Sequence, residues 1–255
     1  ENYAILARLY INIGKYEIAK QYLEDVKIDV QGLNNLKGMV YMGLKKYQDA
    51  LKSFDMEYGR AKNTANYYKA LCHIILKDFN QAKDAVWKLE DSGEKKLFLT
   101  IIGELKAKFD EVKDDFFQLL EFLLTVDEFE LFNNLLNIYA NDFSRDDYVR
   151  YGKLMEKKGF EELALNAYIT AADRNCQDAH VYRYLAQKAL EKDMYDEALA
   201  MAGKALNLDS RDIENYAVIY RLYKTLKRKH ETEHIKKIVR NIYPEIDIEE
   251  LTAKS

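Results

Sequence analysis

The chain repeats itself. The phrase Leu9-Tyr10, Gly14, Tyr16, Ala19 returns as Val40-Tyr41, Lys45, Tyr47, Ala50, and again as Cys72-His73 through Phe79 to Ala82. In the second half Ala189-Leu190 through Tyr195 to Ala198 has the same form and runs on through Ala202 and Ala205 to Leu208-Asp209-Ser210. Ala19, Ala50 and Ala82 lie 31 and 32 residues apart, and Ala164 and Ala198 lie 34 apart. Apolar residues fall at helical spacing on both sides of a short turn in each unit, which predicts two antiparallel helices per repeat. The small alanine marks a close crossing of the second helix over the first, and the aromatic three residues before it plugs the turn. A lone helical hairpin cannot bury its apolar stripe, whereas hairpins stacked on one another can.

Composition agrees with this reading. The 255 residues include one proline, Pro244, and 10 glycines, against usual shares of about 5% and 7%. That shortage excludes collagenous, linker-like and turn-dense all-β chains and leaves long helices joined by short loops. The 39 Lys and Arg against 43 Asp and Glu give a net charge of −4, so no overall field draws nucleic acid or an anionic membrane. No apolar stretch approaches the roughly 18 residues of a membrane span. Cys72 and Cys176 have no CxxC spacing, which fits a reducing, cytoplasmic setting and neither a disulfide framework nor a zinc knuckle. The chain opens at Glu1 inside what reads as a helix and is expected to be a piece of a longer one.

With these residues in place the chain resembles the tetratricopeptide-repeat family, whose pattern is W-x2-L-G-x2-Y…A-x3-F…P. Tyr3, Leu6-Ala7, Tyr10, Ala19 and Leu23 match in the first repeat, and Lys37-Gly38, Tyr41, Ala50 and Phe54 in the second. Tyr148, Tyr151-Gly152, Gly159, Ala164 and Tyr168 match in the fifth, and Tyr182, Leu185-Ala186, Ala189, Ala198 and Ala202 in the sixth, with Ser210 in place of the closing proline. Trp87 stands in a second helix and not at the family's tryptophan position. A weaker unit, with Leu99, Phe109, Val112 and Phe116, spans 93–126, and a capping hairpin carries Tyr216, Ile219-Tyr220 and Tyr223. The resemblance implies an all-α, right-handed α-solenoid of about seven hairpins. Residues 127–143 read as one extra amphipathic helix, which divides the chain into sub-arrays 1–126 and 144–255.

The resemblance also implies a function: a non-enzymatic scaffold that binds a peptide or helix in a concave groove lined by first helices. The alternative is the tail of a larger bacterial enzyme, for example a glycosyltransferase, that positions an acceptor or drives oligomerisation. Family positions carried onto this chain give Arg8 and Asn12, Asn35 and Met39, and Tyr67 with Leu71 as groove residues of the first half. In the second half they give Val149, Lys153 and Lys157, then His180, Arg183 and Gln187, then Arg221 and Lys224, with Arg150 adjacent. Several cations on successive helices suit a partner with acidic groups. The family's carboxylate clamp of Lys, Asn, Asn, Lys and Arg is not matched, because Ala4, Arg8 and Leu36 fill its first three places. The expected partner is a protein or peptide, another domain of the parent chain or a second copy. Neither nucleic acid nor membrane insertion is expected.

One literal metal motif occurs: His230-Glu231-Thr232-Glu233-His234 spells H-E-x-x-H. Its flanks, Lys227-Arg228-Lys229 and Lys236-Lys237, describe a solvated helix face, so no metal is expected there. The chain has no phosphate-binding G-x-x-x-x-G-K-[ST] loop, no G-x-G-x-x-G and no G-x-S-x-G elbow. The paired acids Asp114-Asp115 and Asp146-Asp147 read as helix caps. Neither catalysis nor a cofactor is expected.

Overall fold

The computed structural model describes residues 2–26 and 30–253, so Glu1 lies outside it, and the described residues are helical with no strand. They fall into two compact units, Glu1–Asp142 and Phe143–Ser255. The first unit contains α1 (Asn2–Asn12), α2 (Tyr16–Glu24), α3 (Leu33–Gly43), α4 (Tyr47–Asp55), α5 (Lys62–Ile75) and α6 (Phe79–Trp87). It continues with α7 (Gly93–Ile101), α8 (Phe109–Thr125) and α9 (Phe129–Tyr139). The second contains α10 (Arg145–Lys157), α11 (Glu161–Asp173), α12 (Ala179–Glu191), α13 (Tyr195–Leu208), α14 (Ile213–Thr225), α15 (Lys229–Ile242) and α16 (Ile248–Ala253).

One turn, repeated, makes the hairpins. The residue closing each first helix takes a left-handed backbone: Gly14, Lys45, Lys77 and Asp127 in the first unit, and Gly159, Asp193 and Lys227 in the second. The next N–H then donates to a carbonyl five residues back, as Lys15 does to Tyr10 at 2.8 Å, Glu128 to Leu123 at 2.8 Å and Arg228 to Tyr223 at 2.9 Å. This is a Schellman closure, which satisfies otherwise orphaned helix-end carbonyls. Counted by this turn, the hairpins are α1–α2, α3–α4, α5–α6, α8–α9, α10–α11, α12–α13 and α14–α15. Ala19, Ala50, Ala82, Ala164 and Ala198, the alanines of the repeat, are all 0% exposed.

The helix left over is α7. Residues 127–143, expected as a separate connector, instead supply α9, which packs on α8 within the first unit. The reason is the turn. After α7 the chain closes at Gly103 but runs extended at Lys108 before α8 begins, whereas Asp127 bends α8 directly into α9. The stack of helix pairs is that of an α-solenoid.

Candidate functional site

In the first unit, the first-helix face proposed as a groove is largely taken up by the chain itself. Arg8, Met39 and Leu71 each stand six residues before their left-handed turn residue, so they hold one position in three successive hairpins. Arg8 and Asn12 are exposed on α1, Met39 is half-buried against the core of the first two hairpins, and Leu71 is fully buried. Asn35 is buried and holds the link between α4 and α5: its Nδ2 donates to the Ala61 carbonyl at 2.9 Å and its backbone N–H to Glu57 Oε2 at 2.9 Å. The Tyr67 ring lies 4.9 Å from that of Phe98 on α7, and burial pushes its phenol far above the ordinary tyrosine range. These are packing environments.

The covering elements are α7 and the α8–α9 hairpin, which folds back along the turns of the first three hairpins. Tyr16, in the first hairpin, donates to the Thr125 carbonyl at 3.0 Å. In the second, Lys45 Nζ pairs with Glu128 Oε1 at 2.5 Å and donates to the Val126 carbonyl, while Tyr47 donates to the same Glu128 oxygen. In the third, Lys77 Nζ lies 2.8 Å from Glu130 Oε1. Phe122 of α8 meets Tyr68 of α5 with ring centres 5.6 Å apart. The fold-back also walls a cavity of about 400 Å³ lined by Ile74, Phe79, Ile101, Leu131, Leu135 and Ile138.

Glu128 is the pivot, since its mostly buried carboxylate serves two partners from another hairpin. Replacing it in Glu128→Ala strands the Tyr47 hydroxyl and the Lys45 ammonium, and costs about 2 kcal/mol, as for a hydrogen-bonded charge. Urea denaturation measures the loss, and limited proteolysis is expected to cut faster near 102–108.

In the second unit the first helices are tied by a polar ladder. Lys153 of α10 pairs with Asp178 at 2.6 Å, and Asp178 caps α12 by accepting from the His180 N–H at 3.0 Å. Burial raises the Asp178 pKa, but the hydrogen bond and charge of Lys153 outweigh it and hold the carboxyl below its usual range. Arg183 of α12 pairs with Asp212, which caps α14, and donates to Asn215 Oδ1 at 3.1 Å. His180 lies between the strands of this network. Its Nε2 is 2.7 Å from Glu156 Oε2 and its Nδ1 is 3.3 Å from Arg183 Nη2. A guanidinium only donates, so Nδ1 accepts and the proton sits on Nε2, donating to Glu156. The same carboxylate accepts from the Tyr168 hydroxyl at 2.6 Å.

Two of the cations expected to form a basic strip, Lys153 and Arg183, are therefore engaged in joining one repeat to the next. Gln187 and Arg221 occupy the position of Lys153 on the two following first helices, six residues before Asp193 and Lys227. Both are half-buried, and the Arg221 Nε is buried with no hydrogen-bond partner. Lys224 is exposed with its Nζ 5.7 Å from the centre of the Tyr220 ring, and Arg150 is exposed on α10. Sequence spacing located the row, but not the aspartate caps 25 and 29 residues downstream that claim two of its members.

The H-E-x-x-H residues open α15, with His230 and His234 exposed. Among the described residues no group of three or more His, Cys, Asp or Glu is placed to hold a metal ion. Cys72 and Cys176 are buried and unpaired, and burial pushes the Cys72 thiol up. No helix among the described residues is long and apolar enough to cross a membrane.

Two stacks of antiparallel helix pairs closed by one recurring turn define the class: a helical-hairpin repeat protein resembling the tetratricopeptide kind. Among solved structures, the chain is similar to one described as the TPR2AB-domain:pHSP90-complex of yeast Sti1, at 14% identity and a TM-score of 0.37 over 99% of this chain and 96% of that one. No protein-family model matches the chain, and no curated protein matches it.

Proposed function

We propose that the chain is a non-enzymatic protein-interaction scaffold that holds a peptide or helix with acidic side chains along the first helices of its second unit. The observation that carries this reading is the row of Lys153, Gln187 and Arg221 on α10, α12 and α14, ending in a guanidinium whose Nε has no partner. Arginine presents a planar fork that matches a carboxylate, and glutamine can both donate to and accept from a peptide backbone. The equivalent face of the first unit is occupied by residues of α7 and α8, so the second unit is the one that offers a docking face. The free, buried cysteines fit a reducing compartment such as the cytoplasm.

An array of acidic and basic 15-residue peptides tests the reading. Acidic members bind the wild type, and Arg221→Ala weakens them about tenfold, the equivalent of about 1.4 kcal/mol, with thermal stability unchanged. Arg183→Ala behaves differently: it leaves Asp212 and Asn215 without their partner at a mostly buried junction, and lowers stability by about 2 kcal/mol. Equal binding of acidic and basic peptides, or unchanged affinity in Arg221→Ala, overturns the reading.

A further inference from the structure

We propose that the outer face of α1 is a self-association surface that seats α1 of a second copy of this chain across a twofold axis. Ile5, Leu9 and Ile13 are 60%, 55% and 62% exposed. At a spacing of four residues they form one continuous stripe along the helix. The opposite stripe, Ala7 and Ile11, is buried in the core of the first two hairpins. A helix that is apolar on two opposed faces is built to be covered on both.

The repeat shows what such a stripe does elsewhere in the molecule. Ile5 and Leu9 stand nine and five residues before Gly14. The same places before Lys45 are Leu36 and Val40, and before Lys227 they are Val218 and Leu222. These four are 7%, 1%, 1% and 0% exposed. Leu36 and Val40 reach that state by sharing a core with Ala7, Ile11, Ala19 and Leu23 of the preceding hairpin. The first hairpin therefore presents the face that interior hairpins bury against another helix pair, with its apolar residues intact.

Two further observations select a second copy as the occupant. Between Asn2 and Gly14 the only charged residue is Arg8, which lies about 100° around the helix from Leu9, so two such faces meet without like charges opposed. The last hairpin is already closed: α16 covers it with buried Ile248, and Glu249 accepts from Tyr220 at 2.8 Å and pairs with Lys236 at 2.7 Å. Head-to-tail growth is blocked there, and a closed isologous pair through α1 remains. An interface of one hairpin per copy belongs to the small, transient class below about 1,200 Å² in total, which corresponds to a dimer forming at micromolar concentration.

Sedimentation velocity on the full chain, from about 1 to about 200 µM, tests the proposal. The wild type is expected to move from monomer to dimer mass over that range. Leu9→Glu, at an exposed position that leaves the fold intact by circular dichroism, is expected to stay monomeric throughout. Leu163→Glu, on an equally apolar but unrelated exposed site, keeps the wild-type behaviour. Leu9→Cys places a single surface thiol near the twofold axis, and mild oxidation is expected to convert it to a covalent dimer. A wild type that remains monomeric at the highest concentration, a Leu9→Glu chain that still dimerises, or loss of the dimer in Leu163→Glu each overturns it.

Discussion

Raising the pH from 10 to 12 is expected to unfold this protein, and the tyrosines are the cause. Burial, aided at Tyr16 by the Asp127 charge and at Tyr220 by the hydrogen bond to Glu249, lifts the phenols of Tyr16, Tyr68, Tyr151 and Tyr220 to about 12. Burial moves Tyr47, Tyr67 and Tyr168 higher still. In an unfolded chain a tyrosine titrates near 10. A raised folded pKa means that the native state keeps protons the unfolded state releases, so stability is intact below pH 10 and drains away as pH rises toward 12. For a buried phenol such as Tyr151 or Tyr220 a shift of two units is worth about 3 kcal/mol, and both units of the molecule contain several such groups. Helical circular dichroism and tyrosinate absorbance, followed together against pH, are expected to change in one step. Tyr68→Phe and Tyr151→Phe remove the titrating hydroxyl at two of these sites and shift the midpoint upward, which separates the tyrosines from the lysines that titrate over the same range. Full tyrosinate formation with the helical signal intact contradicts the account.

How much of this could be read from the sequence depends on how locally each feature is encoded. The helix pairs were legible because a close crossing admits only a small side chain, and Ala19, Ala50, Ala82, Ala164 and Ala198 mark those crossings at a fixed period. The turns were harder. Lys45, Lys77, Asp127, Asp193 and Lys227 adopt the left-handed backbone that glycine takes freely, and an isolated lysine or aspartate announces nothing. The hairpin at Asp127 was therefore read as a lone helix, and α7 as half of a pair. The candidate groove shows a further limit. Repeat position tells which way Tyr67 or Arg183 points from its own helix, but not what arrives from elsewhere in the chain. Phe98 stands 31 residues beyond Tyr67, and Asp212 stands 29 beyond Arg183. No periodic pattern contains those meetings, because α7 lies outside the repeat and the aspartate caps serve first to start their own helices.

The size of one side chain against its opposite number is legible in the repeat, and it leads to the largest expected mutational effect. Seven residues before each turn residue stand Ala7, Gly38, Ala70, Leu120, Gly152, Ala186 and Tyr220, and nine after it stand Leu23, Phe54, Val86, Leu136, Tyr168, Ala202 and Lys236. The two glycines face the two aromatic rings. A Cβ at Gly38 would lie 2.6 Å from Phe54 Cδ1, and one at Gly152 would lie 2.6 Å from Tyr168 Cδ1, closer than carbon atoms can approach. Neither ring can yield easily. Phe54 is 2% exposed and stacked 5.6 Å from Tyr68, whose other neighbour is Phe122, while the Tyr168 hydroxyl is tied to Glu156. Gly38→Val forces three carbons into this space, with overpacking at the upper end of the usual range, about 3 kcal/mol. Valine gains little helix propensity over glycine to offset it. Phe54→Ala alone empties a buried aromatic site and costs about 3 to 5 kcal/mol. The double variant exchanges a glycine-aromatic pair for a Val-Ala pair, closer to the Ala70-Val86 pair of the next hairpin, so each change relieves the other. In urea denaturation the double variant is expected to fall short of the summed losses by at least about 2 kcal/mol, the signature of residues in direct contact. Additive losses would mean that the ring and the glycine are not in register, and that the repeat does not conserve volume at this crossing.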